Sequence, residues 1–488
     1  MRNSHWRQRG NVDGEGSVSG RARSGTRSGA AAVLLLVAAP LVLLPAPARA
    51  AGIEHPDVGT LAIGRGGAYA AAPSDGVAMF YNPGGLGTQS GLRVTLDASM
   101  SWQGLSFTPT GGTQVSNTAG GFLVPALAVS YGRPWGKLPN LTLALGATGP
   151  SAIGKESYDP AGAQRYSLIA SDYFIAYYSA AVAASFNRWL SAGVTLQWVK
   201  GSAKFSQAVY SGLAMGTDPG NDSIAHIDVS SPFIPTAVIG VTARPMLPLA
   251  LGLSYRPRYD FLAHGTLTTE LAPAGAAVNT VVAGNSTDFF VSFPDVIRFG
   301  AQYAFGARLL VEADFVAELW SRLHTIEIRP QRIEVSSGLA TEPQALSDII
   351  FQKDYRNAYS VRVGGDYVAL PGRLTVRAGY LHETSAIPTR SVSVDFGNWQ
   401  RDAVSVGGTV TLWPGVTASF AYAHHFLADQ NVTDSQVVQI LSPCVTSPGC
   451  KPPVATVVGN GHYTASLDIA SLSLGFVLDD LRRAVAPP

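Results

Sequence analysis

Alternation of apolar with small or polar residues is the dominant pattern in this chain of 488 residues. In residues 404–412 (VSVGGTVTL), valine or leucine alternates with serine, glycine and threonine. Residues 416–423 repeat the alternation directly after a Trp-Pro-Gly turn. A period of two places the two kinds of residue on opposite faces of a β-strand. The pattern therefore predicts paired strands, each with one apolar face.

About fourteen segments of this kind follow one another between residues 91 and 477. An even number of strands of about ten residues is typical of bacterial outer-membrane barrels. The predicted fold is therefore all-β, a transmembrane antiparallel β-barrel of about 14 strands. We place the strands at residues 91–103, 122–132, 140–149, 173–187, 189–205, 233–244, 248–270, 286–304, 307–329, 356–370, 372–386, 401–413, 415–427 and 462–477.

The predicted connections alternate between short and long. Short turns on one rim and long loops on the other are typical of a membrane barrel, whereas a soluble sandwich would show no such regularity. The short turns are expected at residues 132–140, 187–188, 244–248, 305–306, 370–373 and 413–415. The long loops are expected at residues 104–121, 150–172, 206–232, 271–285, 330–355, 387–400 and 428–461.

Aromatic residues lie near many predicted strand ends, among them Trp135, Trp189, Trp320 and Trp413. Such residues suit the aromatic girdles at the two membrane interfaces. Ordinary core packing is the alternative for each residue taken alone. Taken together, the aromatic residues favour positions at the membrane interfaces.

Residues 1–50 have the features of a secretory signal peptide. An apolar run at residues 30–44 follows an arginine-bearing region and precedes small residues typical of a cleavage site. The run is shorter than the roughly 20 residues that span a bilayer, so an uncleaved anchor is the weaker alternative. Because the basic region is long, the true start codon stays open.

Charge excludes one class of partner. Residues 1–50 carry seven arginines against Asp13 and Glu15, a net charge of +5 in a chain whose total is +1. The remainder therefore carries −4, which offers no basic face for nucleic acid.

A glycine-rich stretch at residues 59–88 fits neither a helix nor a strand. It contains Arg65 and the turn Asn82-Pro83-Gly84, in which proline fixes φ and asparagine and glycine favour tight backbone. Such a segment needs surrounding walls, which the barrel supplies. The predicted organisation is a signal peptide at 1–50, an N-terminal plug at 51–90, a barrel at 91–477 and a tail at 478–488.

These features resemble the FadL/TodX family of outer-membrane transporters for long-chain fatty acids and other hydrophobic compounds. The resemblance covers nearly all of the chain after the signal peptide. It is most specific at residues 64–68 (GRGGA) and 81–86 (YNPGGL), the second being similar to the family's N-P-A-G-L turn with Gly84 in place of alanine. The last strand departs from the usual pattern, because Phe476 is followed by residues 477–488.

The resemblance implies a barrel whose lumen holds an N-terminal hatch, with capture of substrate at extracellular loops and lateral release through the wall. It implies passive uptake of a long-chain fatty acid, or of an aromatic hydrocarbon by the same mechanism. Gly146, Gly149 and Pro150 are the candidate lateral exit, because glycine and proline interrupt a strand; a strand that simply ends there is the alternative. We expect a monomer in contact with outer-membrane lipid.

Six ionisable residues on the predicted strands are expected to face the lumen, because each charge on the lipid face would cost roughly 2 to 4 kcal/mol near the midplane. One interpretation is a salt-bridge lattice that braces the plug. The other is that Arg362 or Arg377 binds a carboxylate head group. The six candidates are Arg298, Glu312, Asp314, Arg362, Asp366 and Arg377.

The two cysteines, Cys444 and Cys450, lie in a proline-rich segment. In an exported chain the favoured interpretation is a small loop disulfide. Their spacing without a nearby histidine is poor support for zinc. We expect no metal and no cofactor.

An enzyme is the competing class of function. The chain has no G-x-S-x-G, H-E-x-x-H or Walker motif. A barrel hydrolase of the esterase type remains an alternative, since a triad on neighbouring strands needs no motif. Neither this hydrolase nor a passive porin explains the glycine-rich plug, so we expect a transporter.

Overall fold

The computed structural model describes residues 57–149, 154–210, 218–339, 342–396, 399–443 and 454–485. The predicted signal peptide, Pro150 and both cysteines lie outside the described residues. The strands, in chain order, are β1 (Gly91–Pro109), β2 (Val115–Ser116), β3 (Phe122–Trp135), β4 (Leu138–Thr148), β5 (Lys155–Ser157), β6 (Ala170–Ser185), β7 (Leu190–Tyr210), β8 (Asp222–Ser230), β9 (Ile234–Met246), β10 (Leu249–Arg256), β11 (Tyr259–Glu270), β12 (Val281–Ala283), β13 (Ser286–Phe293), β14 (Val296–Phe305), β15 (Leu309–Glu318), β16 (Thr325–Gln331), β17 (Glu334–Ser336), β18 (Gln344–Ala345), β19 (Ile349–Gln352), β20 (Ala358–Leu370), β21 (Leu374–Glu383), β22 (Arg401–Trp413), β23 (Val416–Leu427), β24 (Gln430–Val432) and β25 (Gly461–Val477).

The long strands form one closed antiparallel ring with fourteen positions, which confirms the predicted barrel. Closure is made by β1 and β25, which pair from Arg93 with Val477 to Pro109 with Gly461. Around the ring, β1 is followed by β3, β4, β6 and β7, and the far side is completed by β20, β21, β22, β23 and β25.

Four central positions are each occupied by two strands in line. They are β8 with β9, β10 with β11, β14 with β13, and β15 with β16. Pro232, Pro257 and Pro294 lie in the three interruptions between β8 and β14. Proline has no backbone N–H for a sheet ladder, so it is tolerated where pairing stops.

The predicted loop at 206–232 is wrong in part. β7 continues to Tyr210, and residues 222–230 form β8. In β8 the apolar residues face inward and the polar residues outward, the reverse of a strand that faces lipid. Ile227 and Val229 are buried, whereas His226 and Asp228 are exposed. Polar outward residues made this segment look like a loop, because the prediction expected every strand to face lipid.

Nearer the short turns, the apolar residues point outward and the polar residues inward. Leu145 on β4 is 66% exposed and Leu472 on β25 is 67% exposed, whereas the inward Thr142 is 0% exposed. Exposed leucines at this density require a lipid environment. Trp135, Trp189 and Trp413 are exposed as a girdle requires, but Trp320 is buried inside the molecule, so its predicted girdle position is wrong.

Helices are few and short. Within the part of the chain described above, none is long and apolar enough to cross a membrane. The helix α4 falls in the predicted tail. The α-helices are α1 (Thr60–Ile63), α2 (Ala78–Tyr81), α3 (Pro273–Ala277) and α4 (Leu478–Val485), and the 3₁₀ segments are Pro83–Thr88, Ala163–Tyr166, Pro219–Asn221, Trp320–Arg322, Thr389–Ser391 and Val394–Phe396.

Candidate functional site

Residues 57–90, called here the N-terminal segment, lie within the ring of strands. Only Ser74, Thr88 and Ser90 of the segment are exposed. Its hydrogen bonds reach ten strands, which are β1, β3, β4, β6, β7, β9, β10, β15, β20 and β25. A segment bonded on all sides in this way occupies the lumen.

The turn at residues 82–84 joins the N-terminal segment to β9. The Asn82 amide donates to the carbonyl oxygens of Ala70 (2.7 Å) and Val241 (3.0 Å), and its own oxygen accepts from the N–H of Gly84. A Cβ added at Gly84 would lie 2.8 Å from the backbone of β9. Pro83 begins the following 3₁₀ segment. Glycine is therefore required at position 84, where the backbone of the turn contacts the backbone of β9.

Arg65 is the central cation of the lumen. Its guanidinium binds both carboxylate oxygens of Asp366 on β20, at 2.8 and 2.5 Å, and lies 3.4 Å from Glu312 on β15. Arg377 on β21 lies 3.1 Å from the same Asp366. Two arginines thus share one carboxylate, and bidentate pairing fixes the position of Arg65.

The carboxylates of β15 bind the backbone of the N-terminal segment. Asp314 accepts from the N–H groups of Tyr69 (2.7 Å) and Ala70 (2.8 Å). Glu312 accepts from the N–H of Ala71 at 2.7 Å and from Gln302 at 2.8 Å. Buried N–H groups are costly when unpaired, so these two side chains replace the partners that a helix or sheet would provide.

A second ion-pair group lies beside the first. Arg362 binds Asp57 at 2.5 Å and lies 3.7 Å from Glu383, and Glu383 binds Arg401 at 2.6 Å. Arg362 and Arg377 both have acidic partners, which favours the lattice interpretation over head-group binding for these two residues.

Arg298 is the one candidate that the structure leaves outside this network. Its Nε and Nη1 atoms are buried without a hydrogen-bond partner among the described residues, and its guanidinium lies 5.7 Å from the ring centre of Tyr81. Arg298 is opposite Ser254 in the sheet, so Arg256 is its diagonal neighbour on the inner face. Two cations therefore adjoin each other directly above the N-terminal segment.

Arg256 connects these cations to an aromatic interior. Its guanidinium lies 5.9 Å from the ring centre of Tyr177 and 6.0 Å from that of Tyr259. Tyr259 stacks on Phe293 at 4.9 Å, and Phe293 lies 6.2 Å from Trp320. The inner faces of the long strands thus form an apolar chamber whose lower end carries positive charge.

A cavity of about 510 Å³ opens among the long loops above this chamber. Its apolar lining includes Leu346, Ile349, Phe351 and Ile440. A narrow space of about 10 Å³ shares Phe351 and Asp395 with the cavity and reaches Tyr173, Phe205 and Phe289. The two spaces therefore adjoin each other beneath the long loops. Lys353 and Asp395, paired at 2.8 Å, line the larger of the two.

The wall is interrupted where β4 ends. β4 pairs with β3 only as far as Ala126 and with β6 only from Tyr177 onward. Gly149 has a φ of +152°, and a Cβ added to it would lie 2.7 Å from Ala176. On the inner side, a Cβ added at Gly146 would lie 2.6 Å from the sulfur of Met79. Gly146 and Gly149, the two predicted exit residues that the structure describes, therefore lie at a strand end that contacts the N-terminal segment.

Glu156 on β5 lies in the loop that follows this strand end. Its carboxyl is buried, and burial together with the negative charge of Asp395 holds the pKa of Glu156 well above its usual range. The uncharged carboxyl is therefore favoured. In the described ranges, no group of three or more His, Cys, Asp or Glu is placed to hold a metal ion.

The analysis of the sequence did not single out Arg256, Tyr177 or Tyr259. The signal was present, because Arg256 directly precedes Pro257 and shares the parity of the inward Ser254. It was obscured when residues 248–270 were treated as one uninterrupted strand.

A closed membrane barrel with a filled lumen, an apolar chamber and an interrupted wall has the architecture of a channel for hydrophobic molecules. The family model described as "Outer membrane protein transport protein (OMPP1/FadL/TodX)" matches residues 41–450. The chain belongs to this family. It is an outer-membrane transporter of the FadL/TodX type for hydrophobic compounds, and its place is the bacterial outer membrane.

Solved structures have the same fold. A FadL homologue from Pseudomonas aeruginosa superposes with a TM-score of 0.71 at 16% identity, covering 88% of this chain and 100% of that one. The toluene transporters TbuX of Ralstonia pickettii and TodX of P. putida give TM-scores of 0.59 and 0.60 at 14% and 15% identity. Each covers 86% of this chain and 98% of its own. No curated protein sequence matches the chain.

The pairing of Arg65 with Asp366 can be tested by a double-mutant cycle. Arg65→Gln and Asp366→Asn should each lower the free energy of unfolding by about 3 to 5 kcal/mol, because each leaves buried charge without its partner. The double variant should lose less than the sum, since each single variant already loses the Arg65–Asp366 bond and the double variant loses it only once. The measurement is the urea midpoint of the folded, heat-modifiable band on a gel.

Arg329→Gln is the matched control, because Arg329 pairs with Glu327 on the outer face and is 39% exposed. It should cost no more than about 1 kcal/mol. Strictly additive effects of the two lumenal substitutions would contradict the coupling.

Proposed function

We propose that this protein takes up long-chain fatty acids passively across the outer membrane. The observation that carries the proposal is Arg298, whose Nε and Nη1 atoms have no hydrogen-bond partner among the described residues and which adjoins Arg256 below the aromatic chamber. A carboxylate placed there would provide the missing hydrogen-bond acceptor, and arginine binds carboxylates in a bidentate manner. The alkyl chain would extend upward among Tyr259, Phe293 and Trp320.

Transfer of the alkyl chain from water drives the first step. Each CH₂ group gains roughly 0.8 kcal/mol when it is buried. The loop cavity captures the molecule, and the narrow space beneath leads it to the chamber. No outside energy source is required for a substrate that moves toward more apolar surroundings.

Release requires the N-terminal segment to act as a hatch. Met79 lies against Gly146 at the end of the interrupted strand, so a small displacement of the segment opens space at the gap in the wall. A hydrophobic product leaves more favourably into the bilayer than into an aqueous pore. These two facts support lateral release through the gap beside Gly149.

An aromatic hydrocarbon is the second candidate substrate. It is supported by the ring-lined chamber, in which Tyr259 and Phe293 stack at 4.9 Å, and by the similarity of the fold to TbuX and TodX, which are toluene transporters. A hydrocarbon has no anionic group, so its uptake would not depend on Arg298. This difference separates the two candidates.

Uptake of labelled oleate, by cells that lack their own fatty-acid channel, tests the proposal. Wild-type protein should restore uptake, and Arg298→Gln combined with Arg256→Gln should lower it at least about tenfold, because the carboxylate loses two charge-assisted bonds. Arg329→Gln, at equal surface abundance, should leave uptake unchanged. Uptake of labelled toluene, measured in parallel, should be the same with and without the two arginines, because toluene has no anionic group.

Absence of oleate uptake despite correct insertion would contradict the proposal, and toluene uptake in the same cells would favour the second candidate.

The exit is tested at Gly149. Gly149→Val should reduce uptake several-fold without reducing surface abundance, because the side chain collides with β6 and is strained at this positive φ. Ala147→Val is the control, because Ala147 lies on the adjoining strand β4 but points to the face opposite Gly146, away from the N-terminal segment. Equal uptake by both variants would place the exit elsewhere.

A further inference from the structure

Basic residues are concentrated at the rim formed by the short turns. Four of the six turns carry a basic residue, Arg133 and Arg244 lie near the ends of strands beside the turns, and none of the six turns contains Asp or Glu. This contrasts with the charge of −4 carried by residues 51–488 as a whole. Asp479 and Asp480 of α4 lie at the same rim, beside Gly91 and Gly415. The basic residues of this rim, called here the basic rim, are Arg133, Lys137, Arg188, Arg244, Arg308 and Arg373.

The basic rim differs from the opposite rim in its pairing. On the outward faces near the long loops, cations have acidic neighbours, as in Lys155 with Asp172 at 3.1 Å and Lys204 with Asp228 at 2.9 Å. Within the described ranges, no ion pair joins a residue of the basic rim to an acidic side chain. The positive charge of the short-turn rim is therefore available to a partner.

Aromatic side chains fix the depth of this rim in the bilayer. Trp135 is 58% exposed and Trp189 is 51% exposed, and each lies within two residues of a rim arginine. Exposed tryptophans beside an apolar band mark the head-group level of a membrane. Short turns face the periplasm in barrels of this class, so the basic rim meets the inner leaflet, where phospholipids carry phosphate groups.

A cleft gives the rim one defined binding position. The space, of about 360 Å³, lies between the β6–β7 and β9–β10 turns, and its lining includes Arg188, Arg244, Trp189 and the end of the N-terminal segment at Thr88. Arg244 is half-buried, so its guanidinium is held at the wall of the cleft. Two arginines and an indole are suited to a phosphate with its glycerol backbone.

We propose that the basic rim binds anionic phospholipid head groups of the periplasmic leaflet, and that the cleft at Arg188 and Arg244 is its strongest site. Attraction is expected because each basic residue near an anionic membrane surface strengthens binding by roughly fivefold. The contact also holds the end of the N-terminal segment against lipid, since Thr88 and the two arginines line the same space.

The test uses the full-length protein folded in vesicles of equal phosphatidylglycerol and phosphatidylcholine. After gentle extraction, mass spectrometry counts the lipids that stay bound. Wild type should retain phosphatidylglycerol in preference to phosphatidylcholine, and added salt should weaken this preference. Arg188→Gln with Arg244→Gln should reduce the preference at least about fivefold, and neutralising all six rim residues should abolish it.

Lys155→Gln with Lys204→Gln is the matched control, because these lysines are paired and lie near the opposite rim. The control should keep the wild-type preference. If the sixfold variant fails to insert, the double variant decides the outcome.

Equal retention of both lipids by wild type would overturn the proposal and would leave the rim to an acidic protein partner. Unchanged preference in the double variant would overturn the cleft as the site. If inorganic phosphate at matched concentration displaces the bound lipid, the ligand is phosphate itself, and the proposal of a membrane lipid as the ligand is overturned.

Discussion

The structure depends on the binding of an irregular backbone segment by carboxylates of the barrel wall. Residues 57–90 have two helical turns of four residues and one 3₁₀ segment, and the irregular backbone between them leaves N–H groups that bond to the barrel wall instead of within the segment. Asp314 and Glu312 accept three of these N–H groups, and Arg65 neutralises the charge that the carboxylates bring into the lumen. Each component is costly to bury without the others. Removal of one therefore affects the whole assembly.

Reversal of polarity along the barrel follows from the two environments that it joins. Near the short turns the wall is apolar outside and polar inside, which suits lipid on one side and the bonded segment on the other. Beyond the membrane the long strands are polar outside and apolar inside. The apolar chamber is thus built from the inner faces of strands such as β8 and β11, and its lower end meets the charged lumen at Arg256 and Arg298. A molecule with a long apolar part and one anionic group matches this gradient.

Much of the fold could be predicted from the sequence, because strand period and turn spacing are local. The ring of fourteen positions and the irregular plug-like stretch depend on such patterns. β8 was missed because its outward face is polar. Trp320 was assigned to the membrane surface, but it lies in the part of the barrel where apolar residues face the interior. The roles of Arg362 and Arg377 could not be separated from that of Arg298, since Asp57, the partner of Arg362, lies far away in the irregular segment, and Asp366 is shared between Arg377 and Arg65.

The central claim is that the N-terminal segment closes the barrel. The most direct test is the ion conductance of purified protein in planar bilayers, for the full chain and for a chain without residues 59–88. If the segment closes the barrel, the full chain should give no steady conductance and the shortened chain a large, persistent one, because the ring of strands remains while its contents are removed. Equal conductance from the two proteins would contradict this claim.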